Sequence, residues 1–123
     1  MVVPHRALSD FVCWARDAWG LGPDDAALLI ISIQFDPHVA AVFTPLFLGG
    51  RLVLPRPGGQ NSAEYIMGLM ADHGVAFCPS VPTFGWEHFK SRHAGRCDKL
   101  KAYLFGGEPL PPELIPLVQR AVR

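Results

Sequence analysis

Ala26-Ala27-Leu28-Leu29-Ile30-Ile31 is a continuous apolar run, and Ser32-Ile33-Gln34-Phe35-Asp36-Pro37 follows directly upon it. Apolarity without alternation over this length fits a strand covered on both faces, as in parallel sheets. Asp36 stands where that strand gives way to a helix. Pro37 suits a first helical position, and Val39, Val42, Phe43, Leu46 and Phe47 recur at helical spacing as far as Leu48. Two roles for Asp36 follow, and they are compatible. Its carboxylate can cap the helix by accepting a backbone N–H. It can also anchor a ligand, because ligands of open α/β sheets sit outside the carboxyl ends of the strands.

The same alternation extends outward from this stretch. Upstream, Leu8, Phe11, Val12, Ala15 and Trp19 give His5 to Trp19 an amphipathic helical pattern that Gly20 terminates. Downstream, Gly49-Gly50 stops the second helix, which Pro45 should kink, and Arg51 to Pro55 reads as a short strand before the loop Arg56 to Gln60. Asn61 with Glu64 resembles a capping box, opening a helix whose stripe of Tyr65, Ile66, Leu69 and Met70 runs up to Gly74. Val75 to Cys78 is a third strand, ending at the bend Pro79-Ser80-Val81-Pro82, and Thr83 to Arg92 follows with Phe84 and Phe89 facing inward. Ser91 to Lys99 is a polar connection. Leu100 to Phe105 is a fourth strand that closes on Gly106-Gly107-Glu108-Pro109-Leu110. Pro111-Pro112-Glu113 opens a last helix with Leu114, Ile115, Leu117, Val118 and Val122 on its apolar side, weakened by Pro116. The pattern predicts an α/β, flavodoxin-like three-layer sandwich: a four-stranded, mostly parallel sheet with helices on both faces.

At 123 residues the chain suits a single domain, 1–123, with one core. Lysine plus arginine and aspartate plus glutamate number 11 each, so no basic field recruits nucleic acid. Half the residues are apolar and 18% are charged, which suggests surface meant to be covered by neighbouring protein. Cys13, Cys78 and Cys97 form neither a disulfide framework nor a metal pair, pointing to a reducing, cytoplasmic setting. No membrane partner is expected, for want of a long apolar run or a signal-peptide pattern. His5, His38, His73, His88 and His93 lack metal-ligand spacing and read as surface or packing residues, so no metal site is expected. Glycine-rich nucleotide loops and the nucleophile-elbow and zincin motifs are absent, which leaves unaided nucleotide chemistry unsupported.

The predicted topology brings Asp36, the Cys78-Pro79-Ser80 bend and the Leu104-to-Glu108 turn to one sheet edge, where they can wall a small pocket. The paired glycines Gly106-Gly107 either let a ligand lie against backbone or serve a tight turn.

Taken together and in order, Val3-Pro4-His5-Arg6-Ala7-Leu8, Leu21-Gly22-Pro23-Asp24-Asp25, Ser32-Ile33-Gln34-Phe35-Asp36, Pro45 to Leu54, Val81-Pro82-Thr83 and Phe105 to Leu114 resemble the middle of an amino-acid adenylation domain. The family is that of nonribosomal peptide synthetases, among the adenylate-forming ligases, and the resemblance spans nearly the whole chain. Such domains activate an amino acid with ATP and Mg to an aminoacyl adenylate, then pass it to the phosphopantetheine thiol of a carrier protein. The resemblance implies that Asp36 pairs with the substrate's α-ammonium and that Pro37, Ala40, Pro79, Leu104 and Gly106 line the side-chain pocket. It further implies that Gly106, Gly107 and Glu108 lie alongside the adenylate. No catalytic residue is carried over.

Two departures qualify the likeness. The family usually continues from its Phe-Asp with serine, valine and often Trp-Glu, whereas this chain has His38, Val39, Ala40 and Ala41, so Ala40 should enlarge or re-floor an apolar pocket that suits a sizeable hydrophobic or unusual amino acid. The family's phosphate loop should lie just before Val2, and its later ATP-handling motifs past Arg123. The expectation is therefore a subdomain excised from a larger adenylation domain, partnered by the remainder of that domain, inactive alone and binding no cofactor tightly. A free-standing, non-catalytic flavodoxin-like binding module is the alternative.

Overall fold

The computed structural model describes residues 2–122. Four strands, β1 (Ala26–Leu28), β2 (Arg51–Val53), β3 (Val75–Ser80) and β4 (Ala102–Phe105), form one sheet in the order β2-β1-β3-β4, each neighbouring pair parallel. The helices are α1 (His5–Trp19), α2 (His38–Phe47), α3 (Ala63–His73), α4 (Pro82–Lys90) and α5 (Leu114–Gln119). The three-layer sandwich is thus observed. Ile66, Met67 and Met70 of α3, Phe89 of α4 and Leu114 of α5 pack with Ala26, Leu28, Val75 and Cys78. Ala40 of α2, with Phe11 and Trp19 of α1, packs with Ala27, Ala76, Phe77 and Leu104 on the other face. Trp19 stacks on Phe77 with ring centroids 4.5 Å apart, a geometry that adds about 0.5–1.5 kcal/mol to burial alone.

Consecutive residues Ala76 and Phe77 share a face because the register slips: Ala26 pairs with Val75, and Ala27 pairs with Phe77. Ala76 is the extra residue of a bulge, which sharpens the local twist. At the amino ends of the strands, Lys101 Nζ donates to Asp25 Oδ2 at 2.8 Å and to the Gly20 carbonyl at 3.0 Å, while the Gly22 N–H reaches the same carboxylate oxygen at 2.7 Å. This clasp ties the end of α1 to the entries of β1 and β4. Gly50 completes it from β2, since a Cβ there would collide with the Asp25 carbonyl oxygen that accepts the Arg51 N–H.

Several elements differ from the sequence pattern. β1 stops at Leu28 rather than Ile31, although the Leu29 N–H still reaches the Val53 carbonyl at 3.1 Å. β3 continues through Pro79 to Ser80, past the expected end at Cys78; the recorded pairing with β1 has ceased by then, so the missing proline N–H interrupts no ladder on that side. β2 and β4 are likewise shorter than the apolar runs that contain them. Helix α3 is capped by Ser62, whose hydroxyl accepts the Tyr65 N–H at 3.3 Å, not by Asn61. Glu64 turns instead to Arg92 and His93. On α4, Phe89 is buried as expected, but Phe84 is 43% exposed and His88 takes the inner position. Ile115 is also exposed, while Leu114 is buried and Leu117 and Val118 are half-buried against the core.

Candidate functional site

Each wall of the site begins where a parallel strand ends. After β1 the chain makes a turn closed by its own backbone, the Phe35 N–H donating to the Ser32 carbonyl at 3.0 Å. The Asp36 carbonyl then accepts the Val39 N–H at 3.0 Å, and α2 starts without any side-chain cap. Asp36 therefore enters as backbone only, and its exposed carboxylate is not used to cap the helix. The capping role considered for it is not realised, and Pro37 occupies the N-cap rather than the first helical position.

After β3, Val81 leads into α4 with Pro82 in its first turn. After β4, the Gly106 N–H donates to the Ser80 carbonyl at 3.2 Å, which carries the β3–β4 pairing one residue beyond the sheet. Glu108 then reaches across to Thr83. These segments enclose a cleft of about 390 Å³ lined by Ile31, Phe35, Asp36, Pro37, Pro79, Ser80, Val81, Leu104, Phe105, Gly106, Gly107 and Glu108. β1 and β3 are neighbours whose outgoing connections leave in opposite directions, through α2 to β2 and through α4 to β4. The cleft lies at that switch point, where open α/β sheets bind ligands.

Asp36, Pro37, Pro79, Leu104, Gly106, Gly107 and Glu108 all line this one cleft. Ala40 does not; it is 4% exposed and belongs to the core cluster against which Leu104 packs. Ile31, Phe35, Ser80, Val81 and Phe105 also line it; Ser80 and Phe105 lie in the bend and turn expected at this edge, while Ile31, Phe35 and Val81 were assigned no role from sequence. Thr83, the partner of Glu108, was assigned none either.

Glu108 Oε2 accepts from the Thr83 hydroxyl and backbone N–H, which holds its carboxyl below the ordinary value. Cys78, wholly buried, has its thiol pushed far up by desolvation, so it is inert. His88 is 2% exposed, with Nδ1 2.5 Å from the Tyr103 hydroxyl, and burial lowers its pKa to about 4. Gly107 needs its glycine, having φ +82°, whereas a Cβ on Gly106 would meet nothing within 4 Å. The fold thus gives no internal reason for glycine at 106. An approaching ligand gives one.

The family model described as "AMP-binding enzyme" matches residues 1–123. The chain belongs to the AMP-binding enzyme family. This family member is similar to tyrocidine synthase 3 of Brevibacillus parabrevis, 31% identical over 94% of the chain and 2% of that protein. Gramicidin S synthase 2 of Brevibacillus brevis is 24% identical over 94% of the chain and 3% of that protein. Among solved structures, the nonribosomal peptide synthetase FmoA3 (S1046A) superposes with a TM-score of 0.88 at 27% identity, covering 98% of the chain and 13% of that protein. The Vibrio cholerae adenylation domain AlmE, solved with glycyl-adenosine-5′-phosphate, shares the fold with a TM-score of 0.77 at 20% identity, over 94% of the chain and 22% of that protein. The resemblance to nonribosomal peptide synthetase adenylation domains is borne out, and the chain spans only a small share of those proteins' length.

Gly106 and Gly107 leave backbone open along the cleft, but among the described residues no lysine or arginine lines it to meet phosphates. Among the described residues no group of three His, Cys, Asp or Glu side chains is placed to hold a metal ion. No helix among them is long and apolar enough to cross a membrane.

Proposed function

We propose that the chain is the amino-acid-binding, specificity-determining subdomain of a nonribosomal peptide synthetase adenylation domain. The whole domain would activate an amino acid with ATP and Mg to an aminoacyl adenylate, releasing pyrophosphate, and load it on a carrier protein's phosphopantetheine thiol. The observation that carries this reading is the convergence of Asp36, Pro79, Leu104 and Gly106 on one switch-point cleft, with the Asp36 carboxylate unused by the helix it precedes.

In this reading Asp36 pairs with the substrate's α-ammonium. A carboxylate and an ammonium that are costly to desolvate singly compensate each other when paired. The pairing fixes the α-carbon, turns the α-carboxylate toward the open backbone of Gly106 and Gly107, and sends the side chain toward Pro79 and Leu104. Glu108 acts at one remove, holding the glycine turn against Thr83. Phosphate and metal handling fall to parts of the domain other than this cleft, so the 123 residues alone should not make adenylate.

The test is amino-acid-dependent ATP–pyrophosphate exchange in a complete adenylation domain that carries this segment, with Asp36→Ala beside it. Loss of exchange in the variant, with the isolated chain's stability unchanged, is expected. Full exchange by the variant, or substantial exchange by the pure 123-residue chain, would overturn the proposal.

A further inference from the structure

We infer that the cleft selects an amino acid with an uncharged, apolar side chain; the inference rests on the reading of Asp36 as an ammonium anchor. Among the described residues the lining contains two ionisable side chains, Asp36 and Glu108, and no basic one. Glu108 is tied to Thr83 through one of its two oxygens, Oε2. With the ammonium on Asp36, a ligand carrying an acidic side chain finds no cation among the described lining residues, and one carrying a second cation has only Glu108, already tied to Thr83, to turn to. Either charge would give up water for little or no pairing, which is unfavourable.

Neutral polar side chains fare little better. Ser80 is the one hydroxyl on the lining, it is 3% exposed, and it points to the Val81 carbonyl at 3.4 Å. The remaining side-chain surface is Ile31, Phe35, Pro37, Pro79, Val81 and Leu104, with Phe105 beside them. Leu104 faces the ligand on one side and packs on the Ala40-containing core on the other, so it sets the depth of the cleft. At about 390 Å³ the space accepts a branched or aromatic side chain and would leave a small one poorly packed.

The experiment is a titration of the ¹⁵N-labelled 123-residue chain, following the Gly106 and Gly107 amides. The ligands are leucine, phenylalanine, serine, glutamate, lysine and 4-methylpentanoate, which is leucine without its ammonium. Leucine or phenylalanine should bind roughly tenfold more tightly than serine, glutamate or lysine, a difference one buried apolar contact can supply. Asp36→Asn, at an exposed site that leaves the fold intact, should remove the shifts. Serine, glutamate or lysine binding as tightly as leucine, still dependent on Asp36, overturns the side-chain inference and leaves the amino-acid reading standing. Equal binding of 4-methylpentanoate and leucine, or indifference to Asp36→Asn, overturns the reading itself. A chain whose glycine amides respond to none of these ligands overturns the inference.

Discussion

Glu108 and Thr83, 25 residues apart in sequence, are joined twice through a single oxygen: the Thr83 hydroxyl donates to Oε2 at 2.6 Å and the Thr83 N–H at 3.0 Å. The contact fastens the glycine turn after β4 to the first turn of α4. Glu108→Ala should therefore speed amide exchange at Gly106 and Gly107 while the sheet amides keep their protection, and Glu108→Gln should fall between. Because the folded carboxyl lies below its ordinary value of 4.5, the contact's contribution is complete above that value and fades as pH falls through the lower, folded one.

The His88–Tyr103 pair makes stability depend on acid in a different window. Burial lowers the folded His88 pKa from 6.5 to about 4, so below pH 6.5 the unfolded chain takes up a proton that the folded chain refuses. Stability is unaffected by this group above pH 6.5 and declines from there toward pH 4, with a slope approaching roughly 1.4 kcal/mol per pH unit. Urea midpoints at several pH values, compared between the wild-type chain and His88→Phe, should show the steeper acid loss in the wild type. Parallel profiles would contradict the assignment.

Two glycines separate fold from site. Gly50→Ala drives a Cβ into the Asp25 carbonyl and should cost roughly 1–3 kcal/mol in chemical denaturation. Gly106→Ala meets open space and should change stability by less than about 0.5 kcal/mol. In a complete domain carrying the segment, the same Gly106→Ala change should depress pyrophosphate exchange. Stability loss at 106 equal to that at 50 would show that the fold, and no ligand, requires this glycine.

Thr44 is fully buried in α2, and its Oγ1 has no hydrogen-bond partner among the described residues. Thr44→Val exchanges that hydroxyl for a methyl of similar shape and removes an unsatisfied polar group, so the variant should be as stable as the parent or stabler by about 1 kcal/mol. Thermal unfolding monitored by circular dichroism measures it.

Asp36→Ala provides a stability control within the isolated chain. With no side chain capping α2, the change should leave the unfolding midpoint within about 0.5 kcal/mol of wild type, against about 1 kcal/mol for loss of a true cap.

The layer architecture was legible because it depends on burial, which apolar runs report directly: Ala26 to Ile31 is a buried strand exit, and α1 has the bounds that its apolar spacing predicted. Strand lengths were not, since Leu29 to Ile31 remain apolar for packing after hydrogen-bonded pairing has stopped. The exchange of Phe84 for His88 on the inner face of α4 depended on a tertiary partner, Tyr103, that no local pattern announces. At the cleft, the strand-end rule brought Asp36, Pro79 and Gly106 together correctly. Ala40, one helical turn further on, came from the family resemblance and not from that rule, and it packs in the core; a small residue on α2 fits pocket and core equally well until the packing of Leu104 is known.

The clasp of Lys101, Asp25 and Gly20 sits at the rim of the sheet opposite the cleft. None of the residues that form the clasp lines the cleft, so an exchange at Pro79 or Gly106 removes none of the clasp's hydrogen bonds. If the cleft binds as proposed, such a division favours diversification: descendants of one ancestral chain can exchange Pro79 or Gly106, and with them the molecule they recognise, while inheriting the same clasp.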